Sequence, residues 1–423
     1  MARMKFLAQP TVREREVYVD LPVQINAEIT QRFTPESLQE AFNEPRTLIL
    51  VAGEGGAGKT SIACQIGKWA AASSESSGLC DHLLLPLLIE GDIILRTDRA
   101  NEQFQQTVRG VLRDLLNDNE PPSNEMLMSL LKHKRILVIV DGFSEMSDAG
   151  QSTIQPVDPT FPANALLITS RSLEHFSETG RTTINPQRLE KSSLVTFMER
   201  YLEKRGKLEL LSNQEFQDQA ASLQRLVGGR KITPLFARLY IDLSVAAKEG
   251  ADESSLPKTV PDLVLEYLNL LNRKIVSARK EDYEVHRLAR IVAGKCVMPN
   301  LRPTPARISD VLSALGDGLD AGNDLTYLEK RLGLLQTSRF GEEVHFTLDP
   351  LAEYLAAIGL VEEYKDNKDM WREFLDLVDN TPGAPSVVSG FLEAVSDCYL
   401  REYPTGPEDF IVREIHVRRD SSL

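Results

Sequence analysis

Thr47-Leu48-Ile49-Leu50-Val51-Ala52-Gly53-Glu54-Gly55-Gly56-Ala57-Gly58-Lys59-Thr60-Ser61 is the stretch on which the fold turns. An apolar, β-branched run leads into G-x-x-x-x-G-K-[ST], and a helical pattern over about 60–72 follows. Strand, glycine-rich turn and helix in that order distinguish a phosphate-binding loop from an accidental turn. Glycine lets the backbone bend without a Cβ, so that successive N–H groups point inward. The helix behind adds the positive end of its dipole. Gly53, Glu54, Gly55, Gly56, Ala57, Gly58, Lys59, Thr60 and Ser61 are therefore expected to cradle a nucleoside triphosphate. Lys59 would supply a point charge to the β- and γ-phosphates, and Thr60 a hydroxyl to Mg²⁺.

A second run, Ile136-Leu137-Val138-Ile139-Val140, opens after Lys134-Arg135 and ends at Asp141-Gly142-Phe143-Ser144-Glu145. It reads as a buried parallel strand, and the carboxyl ends of such strands are where an open α/β sheet gathers its ligand groups. Standing alone, it would be a strand ending in a solvated acidic turn. Behind a phosphate loop, Asp141 becomes a candidate to share the Mg²⁺ with Thr60, and Glu145 the nearest carboxylate able to orient a water. Ala165-Leu166-Leu167-Ile168-Thr169 is a third such strand and ends in Ser170-Arg171. An arginine there is usually solvated. Here the strand should lie between the other two, so that Arg171 would point toward the γ-phosphate and could report hydrolysis.

The order of these elements resembles the NACHT family of STAND nucleotide-binding switches. Asp141, Gly142 and Glu145 match the family's metal-binding aspartate, the small residue after it and the second of two acids, while Ser144 replaces the first acid. Ile232-Thr233-Pro234-Leu235-Phe236 resembles the proline motif of the family's first helical domain, which implies that Pro234 abuts the nucleotide base. Leu256-Pro257-Lys258-Thr259 with Leu263 resembles the start of its winged-helix domain. Val344-His345-Phe346-Thr347-Leu348-Asp349-Pro350 with Leu351-Ala352-Glu353-Tyr354-Leu355-Ala356-Ala357 resembles the segment that closes that domain. Leu348 stands where relatives carry a histidine, and His345 comes three residues too early to replace it. The resemblance implies an α/β P-loop NTPase, with an AAA+-like parallel sheet and flanking helices, followed by a helical domain and a winged-helix domain. It also implies ATP/ADP and Mg²⁺ as cofactors.

Composition fits a soluble globular protein: 423 residues, 42% hydrophobic and 26% charged, enough for two to four domains. The sequence holds no uncharged apolar stretch of about 18 residues, so no membrane span is expected. The apolar run after Met1 is too short for a secretory signal. Cys64, Cys80, Cys296 and Cys398 are scattered without metal-binding or disulfide spacing, and a cytoplasmic location is expected. A net charge of −14 disfavours a nucleic-acid partner, which matters because a winged helix invites that reading.

The expected organisation is an N-terminal segment over 1–44 packing on the NTPase, a nucleotide-binding domain over 45–186, a helical domain over 187–256, a winged-helix domain over 257–364 and a helical tail over 365–423. Within it, Val17–Val23 reads as a short strand, and Thr34-Pro35 as a helix start. Breaks are expected at 73–78, 117–124 and 147–164. Leu194, Phe197, Met198, Tyr201 and Leu202 form one apolar helical face, and Val260, Leu263, Val264, Tyr267, Leu268 and Leu271 another. A hairpin, 334–338 with 343–347 turning at Arg339–Glu342, would be the wing. Asp349-Pro350 would cap the next helix, and Phe410–Val417 reads as strand. Because that strand-like segment comes at the end of the chain, the expectation is that either a partner completes it or the chain is part of a longer architecture. No repeat of fixed period is present, so a repeat-type sensor is expected to be absent or barely begun.

Three functions are compatible with these motifs. The first is a slowly hydrolysing switch in which exchange of ADP for ATP drives opening and homo-oligomerisation, with a protein trigger and effector in signalling or defence. The second is a continuously cycling ATPase doing mechanical work. The third is a nucleotide-binding scaffold or DNA-binding regulator. The proline motif and the closing segment favour the first over the second, and the negative charge counts against the third.

Overall fold

Packing of the continuous apolar runs into one parallel sheet explains the first half of the chain. The computed structural model describes residues 2–72, 79–93, 99–116, 121–171, 176, 180–250, 256–316, 319–338, 341–404 and 409–420. They divide into two compact units, Met1–Arg188 with Arg200–Gly206, and Leu189–Glu199 with Lys207–Leu423. The expected breaks at 73–78 and 117–120, and the tip of the hairpin at 339–340, lie outside the described residues.

In the first unit, strands β1 (Val23–Ile25), β2 (Glu28–Thr30), β3 (Thr47–Ala52), β4 (Leu85–Glu90), β5 (Ile136–Asp141), β6 (Ala165–Ser170) and β7 (Thr182–Pro186) form a seven-stranded sheet in the order β2-β1-β7-β3-β6-β5-β4. The strands from β7 to β4 are parallel, and β1–β2 is an antiparallel hairpin added beside β7. Every residue of β3 and β6 is buried, as parallel strands covered on both faces require. Because β6 lies between β3 and β5, the carboxyl ends of all three stand side by side.

Helices α1 (Ala2–Leu7), α2 (Pro10–Glu14), α3 (Gln39–Asn43), α4 (Lys59–Ala71), α5 (Ala100–Leu116), α6 (Asn124–Lys132) and α7 (Asp148–Ser152) flank this sheet. Phe6 of α1 is fully buried over α4, where a Cβ at Gly67 would stand 2.5 Å from its ring. Lys68 of α4 donates to the Arg15 carbonyl at 2.7 Å. The strand expected at Val17–Val23 starts only at Val23. Pro22 has no N–H for a ladder, and Asp20 accepts from the Phe33 amide instead, at 3.0 Å.

Helix α8 (Lys191–Lys204) contributes to both units. The second unit continues with α9 (Asn213–Leu226), α10 (Pro234–Lys248), α11 (Val260–Arg273), α12 (Asp282–Val297), α13 (Ile308–Leu315), α14 (Leu319–Thr326), α15 (Asp349–Tyr364), α16 (Lys368–Asp379), α17 (Ser389–Glu402) and α18 (Phe410–Asp420). A small antiparallel sheet, β8 (Ala306–Arg307), β10 (Glu343–Phe346) and β9 (Leu335–Thr337) in that order, sits among them. Its hairpin pairs Val344 with Thr337 and Phe346 with Leu335. Leu335, Val344 and Phe346 are buried, so one face packs on the core.

Two local readings are corrected in this unit. Phe410–Val417 is helical, with Ile411, Val412 and Ile415 buried at helical spacing and Arg418 bonded to Glu414 one turn back and to Asp379. Its β-branched composition gave way to that packing and pairing. At α15, Leu348 occupies the N-cap without a side-chain hydrogen bond, and Asp349 is the first helical residue. There its charge favours the helix dipole rather than capping the amides.

Candidate nucleotide-binding site

Backbone geometry comes first in building the loop after β3. Gly56 and Gly58 have φ of 73° and 101°, in the left-handed region that favours glycine. The loop is tied to the sheet where the Gly53 amide donates to the Ser170 carbonyl at 3.2 Å. Gly58 precedes the first turn of α4, so the loop opens onto a helix N-terminus with no side-chain cap. Lys59 is buried, and its ammonium donates to the Glu54 carbonyl at 2.9 Å. Gly53, Glu54, Gly55, Thr60 and Ser61 are half-buried, and Ala57 is buried.

Strand order then delivers the acidic side. Asp141 ends β5, and its Oδ1 accepts from Thr60 Oγ1 at 3.0 Å and from Thr169 Oγ1 at 2.6 Å. Thr169, buried in β6, also accepts from the Gly142 amide at 2.8 Å. Its single hydroxyl therefore sets both the Asp141 carboxylate and the turn after it. Gly142 has a φ of 75°, and a Cβ there would stand 3.0 Å from Glu145 Oε2, so the small residue after the aspartate is required. A short 3-10 turn, Phe143–Glu145, follows.

That turn binds to the end of β6. Ser144 Oγ accepts from the Arg171 amide at 3.1 Å, and Glu145 Oε1 lies 3.9 Å from Arg171 Nε. The Arg171 side chain is 9% exposed, so the arginine is held against the Phe143–Glu145 turn rather than in solvent. The structure thus brings Thr60, Asp141, Glu145 and Arg171 together on the first unit. Pro234 stands in the second unit, half-buried in the first turn of α10 behind the buried Thr233.

The donor set suits Mg²⁺. Among the described residues there is no cluster of three or more His, Cys, Asp or Glu that would make a protein cage for a metal. Two oxygens, from Thr60 and Asp141, converge instead. Mg²⁺ keeps waters and phosphate oxygens and needs only one or two protein groups, so this sparse set fits it.

Sequence reasoning missed Thr169 and Arg188. Thr169 was within reach, being two residues before Arg171 on the strand predicted to lie beside Asp141. Arg188, which forks onto Glu54 through Nε and NH2, carried no local signal, because 134 positions separate the two.

Residues 47–205 match the family model of the NACHT domain. The chain carries a NACHT-type P-loop NTPase domain. No curated protein matches the chain significantly. Among solved structures, a STAND protein with a tetratricopeptide repeat sensor from Pyrococcus horikoshii is 16% identical, with 95% of this chain and 50% of that one covered and a TM-score of 0.38. Cdc6p from Pyrobaculum aerophilum is 15% identical over 75% of this chain and 89% of its own, at a TM-score of 0.34. This chain spans half the length of the Pyrococcus horikoshii protein. Thr60, Asp141, Glu145 and Arg171 all lie within the matched residues, and no described helix is long and apolar enough to cross a membrane.

Proposed function

We propose that the chain is an ATP/ADP-operated switch of the STAND type, with slow hydrolysis. The observation that carries the reading is the meeting of Thr60, Asp141 and Thr169 beside a glycine loop whose Lys59 already lies buried. Lys59 would move from the Glu54 carbonyl to the β- and γ-phosphates, and Thr60 and Asp141 would hold the Mg²⁺. When bound, Mg²⁺ supplies neutralising charge to the phosphate oxygens. Glu145 orients a water and Arg171 faces the γ-phosphate. With Ser144 given over to the Arg171 amide, only one carboxylate of the usual pair remains, which supports slow turnover.

The family resemblance carries the rest of the reading. Pro234 abuts the base, and α11 to α15 with β8–β10 form a winged helix. Leu348, in place of a histidine, leaves the diphosphate with one tether fewer than in relatives. Exchange of ADP for ATP then favours an open, oligomerising form, and the shift is limited by the difference in affinity between the two states. A trigger, an effector and a part in cytoplasmic signalling or defence follow from the resemblance to the family.

The test is to denature the purified chain and identify the nucleotide released, then to titrate ADP and ATP into Lys59→Ala. Loss of the lysine should weaken binding by about 3 kcal/mol or more in a desolvated site while the fold persists. Unchanged affinity in a folded Lys59→Ala protein would remove the assignment. Light scattering of ADP- and ATP-analogue-loaded protein tests assembly, and equal masses in all states would count against the switch.

A further inference from the structure

Glu54 is the one carboxylate within Gly53–Ser61. Its place is awkward. A loop that wraps a polyphosphate offers amides and a lysine, and an unpaired carboxylate among them would repel the ligand. Its backbone is also a node of the loop, because the Glu54 carbonyl accepts from Lys59 Nζ at 2.9 Å and from the Ala57 amide at 3.4 Å.

Strand register brings the answering charge. In the parallel pair β3–β7, Val51 faces Ile184. Two residues on, Gly53 meets Pro186, whose Cδ would lie 3.6 Å from a Cβ at Gly53. Two further, the chain reaches Arg188, level with the loop. Its backbone is steadied just before, where the Gln187 amide donates to the Pro22 carbonyl at 3.3 Å. From there Arg188 Nε bonds to Glu54 Oε1 and NH2 to Oε2, the two-pronged arrangement that a guanidinium makes and an ammonium does not. The side chains are 31% and 30% exposed, so water does not fully screen the pair.

We propose that Arg188 is a positioning residue for nucleoside di- and triphosphate binding, acting through Glu54. It neutralises the carboxylate and holds it aside, so that the loop presents only N–H donors and Lys59 to the phosphates. The inference rests on the nucleotide-binding reading and adds to it a residue outside every motif. It also predicts a particular epistasis: Arg188 matters only while Glu54 is charged.

Calorimetric titration of ADP, and of ATP with Mg²⁺, at fixed salt into wild type, Arg188→Met, Glu54→Gln and the double variant tests this. Arg188→Met should lose about 10- to 100-fold in affinity, the cost of an uncompensated carboxylate beside phosphates. The double variant should bind within about 3-fold of Glu54→Gln. Should Arg188→Met fail to fold, the double variant, with both charges gone, carries the test against Glu54→Gln. A double variant more than about 10-fold weaker than Glu54→Gln would show Arg188 acting on the phosphates or the fold directly, and would overturn the proposal. Wild-type affinity in a folded Arg188→Met would overturn it as well. Failure of the wild-type chain itself to bind nucleotide would sink the parent reading and this one together.

Discussion

Arginine meets carboxylate in both units, and the two meetings are built differently. At the phosphate loop Arg188 forks onto Glu54 with nearly a third of each side chain open to water. In the second unit Arg230 donates through NH1 to Glu393 at 2.7 Å and through NH2 to both oxygens of Asp397 at 3.0 Å. Tyr354 donates its hydroxyl to Asp397 at 2.6 Å, and Arg419 donates to Glu393 at 3.0 Å. Asp397 and Glu393 are only 14% and 18% exposed. Burial pushes the Asp397 carboxyl up despite Arg230 beside it, and pushes the Tyr354 phenol well above its ordinary range. The first pair stays partly open to solvent beside the glycine loop. The second closes on itself, joining the segment before α10 to α15, α17 and α18, so its charges serve the fold of the unit rather than a ligand.

The sharpest way to break this contrast is to remove each arginine and measure stability. Arg230→Met leaves two buried carboxylates without their main counter-charge. For a fully buried pair the cost is about 3–5 kcal/mol, and with Arg230 itself a third exposed we expect about 2–4 kcal/mol. Adding Asp397→Asn and Glu393→Gln should recover part of it. Arg188→Met should change stability by under about 1 kcal/mol, since its partner can turn to water. Equal denaturant midpoints for wild type and Arg230→Met would erase the distinction.

What was legible in the sequence follows the same division. Gly53–Ser61, Asp141, Glu145 and Arg171 each lie at the end of a short apolar run, so spacing along the chain places them. The position of β6 between β3 and β5 was predicted and is what the strand pairing shows. Pairs such as Glu54–Arg188 and Arg230–Asp397 join residues 134 and 167 positions apart, and no periodicity encodes a meeting that only the fold creates. Phe410–Val417 went wrong for a related reason: β-branched residues suit a strand in isolation, but Asp379 and Glu414 give Arg418 helical partners. Glu353 and Tyr354 belong to the closing segment that resembles the family's signature. Both are buried, and Tyr354 is a hydrogen-bonding member of the Arg230 cluster.

A finer cut separates residues that orient the site from residues that form it. Thr169→Val keeps shape but removes the hydroxyl that donates to Asp141 and accepts from the Gly142 amide. Stability should fall by about 1–2 kcal/mol for the unpaired groups. Mg²⁺-dependent ATP affinity should fall about 10-fold, the usual effect of losing a partner that aims a metal ligand. Thr169→Ser should retain most of both. A Thr169→Val protein with an unaltered Mg²⁺ dependence would mean that Asp141 needs no such support.

The smallest effect concerns acid. Glu215 caps α9 by accepting from the Ser212 amide at 2.8 Å and hydroxyl at 2.9 Å, and it pairs with Lys248 at the end of α10. The Lys248 bond, then those from Ser212, lowers its carboxyl to about 2. A folded-state value below the unfolded one gives stabilisation that is present above about 4.5 and lost as pH falls toward about 2. Asp397 slopes the other way, because its raised carboxyl binds a proton more readily in the folded state and acid relieves the cost of burying its charge. Comparing wild type with Glu215→Gln isolates the first slope, since Asp397 is common to both. The gap between their denaturation midpoints should be widest at neutral pH and narrow steadily below about 4.5. It should be small throughout, because Glu215 is open to solvent and salt screens its pair with Lys248. A gap that stays constant down to pH of about 3 would show that the cap holds equally well without its charge, and would leave the buried cluster as the main source of pH dependence among these groups.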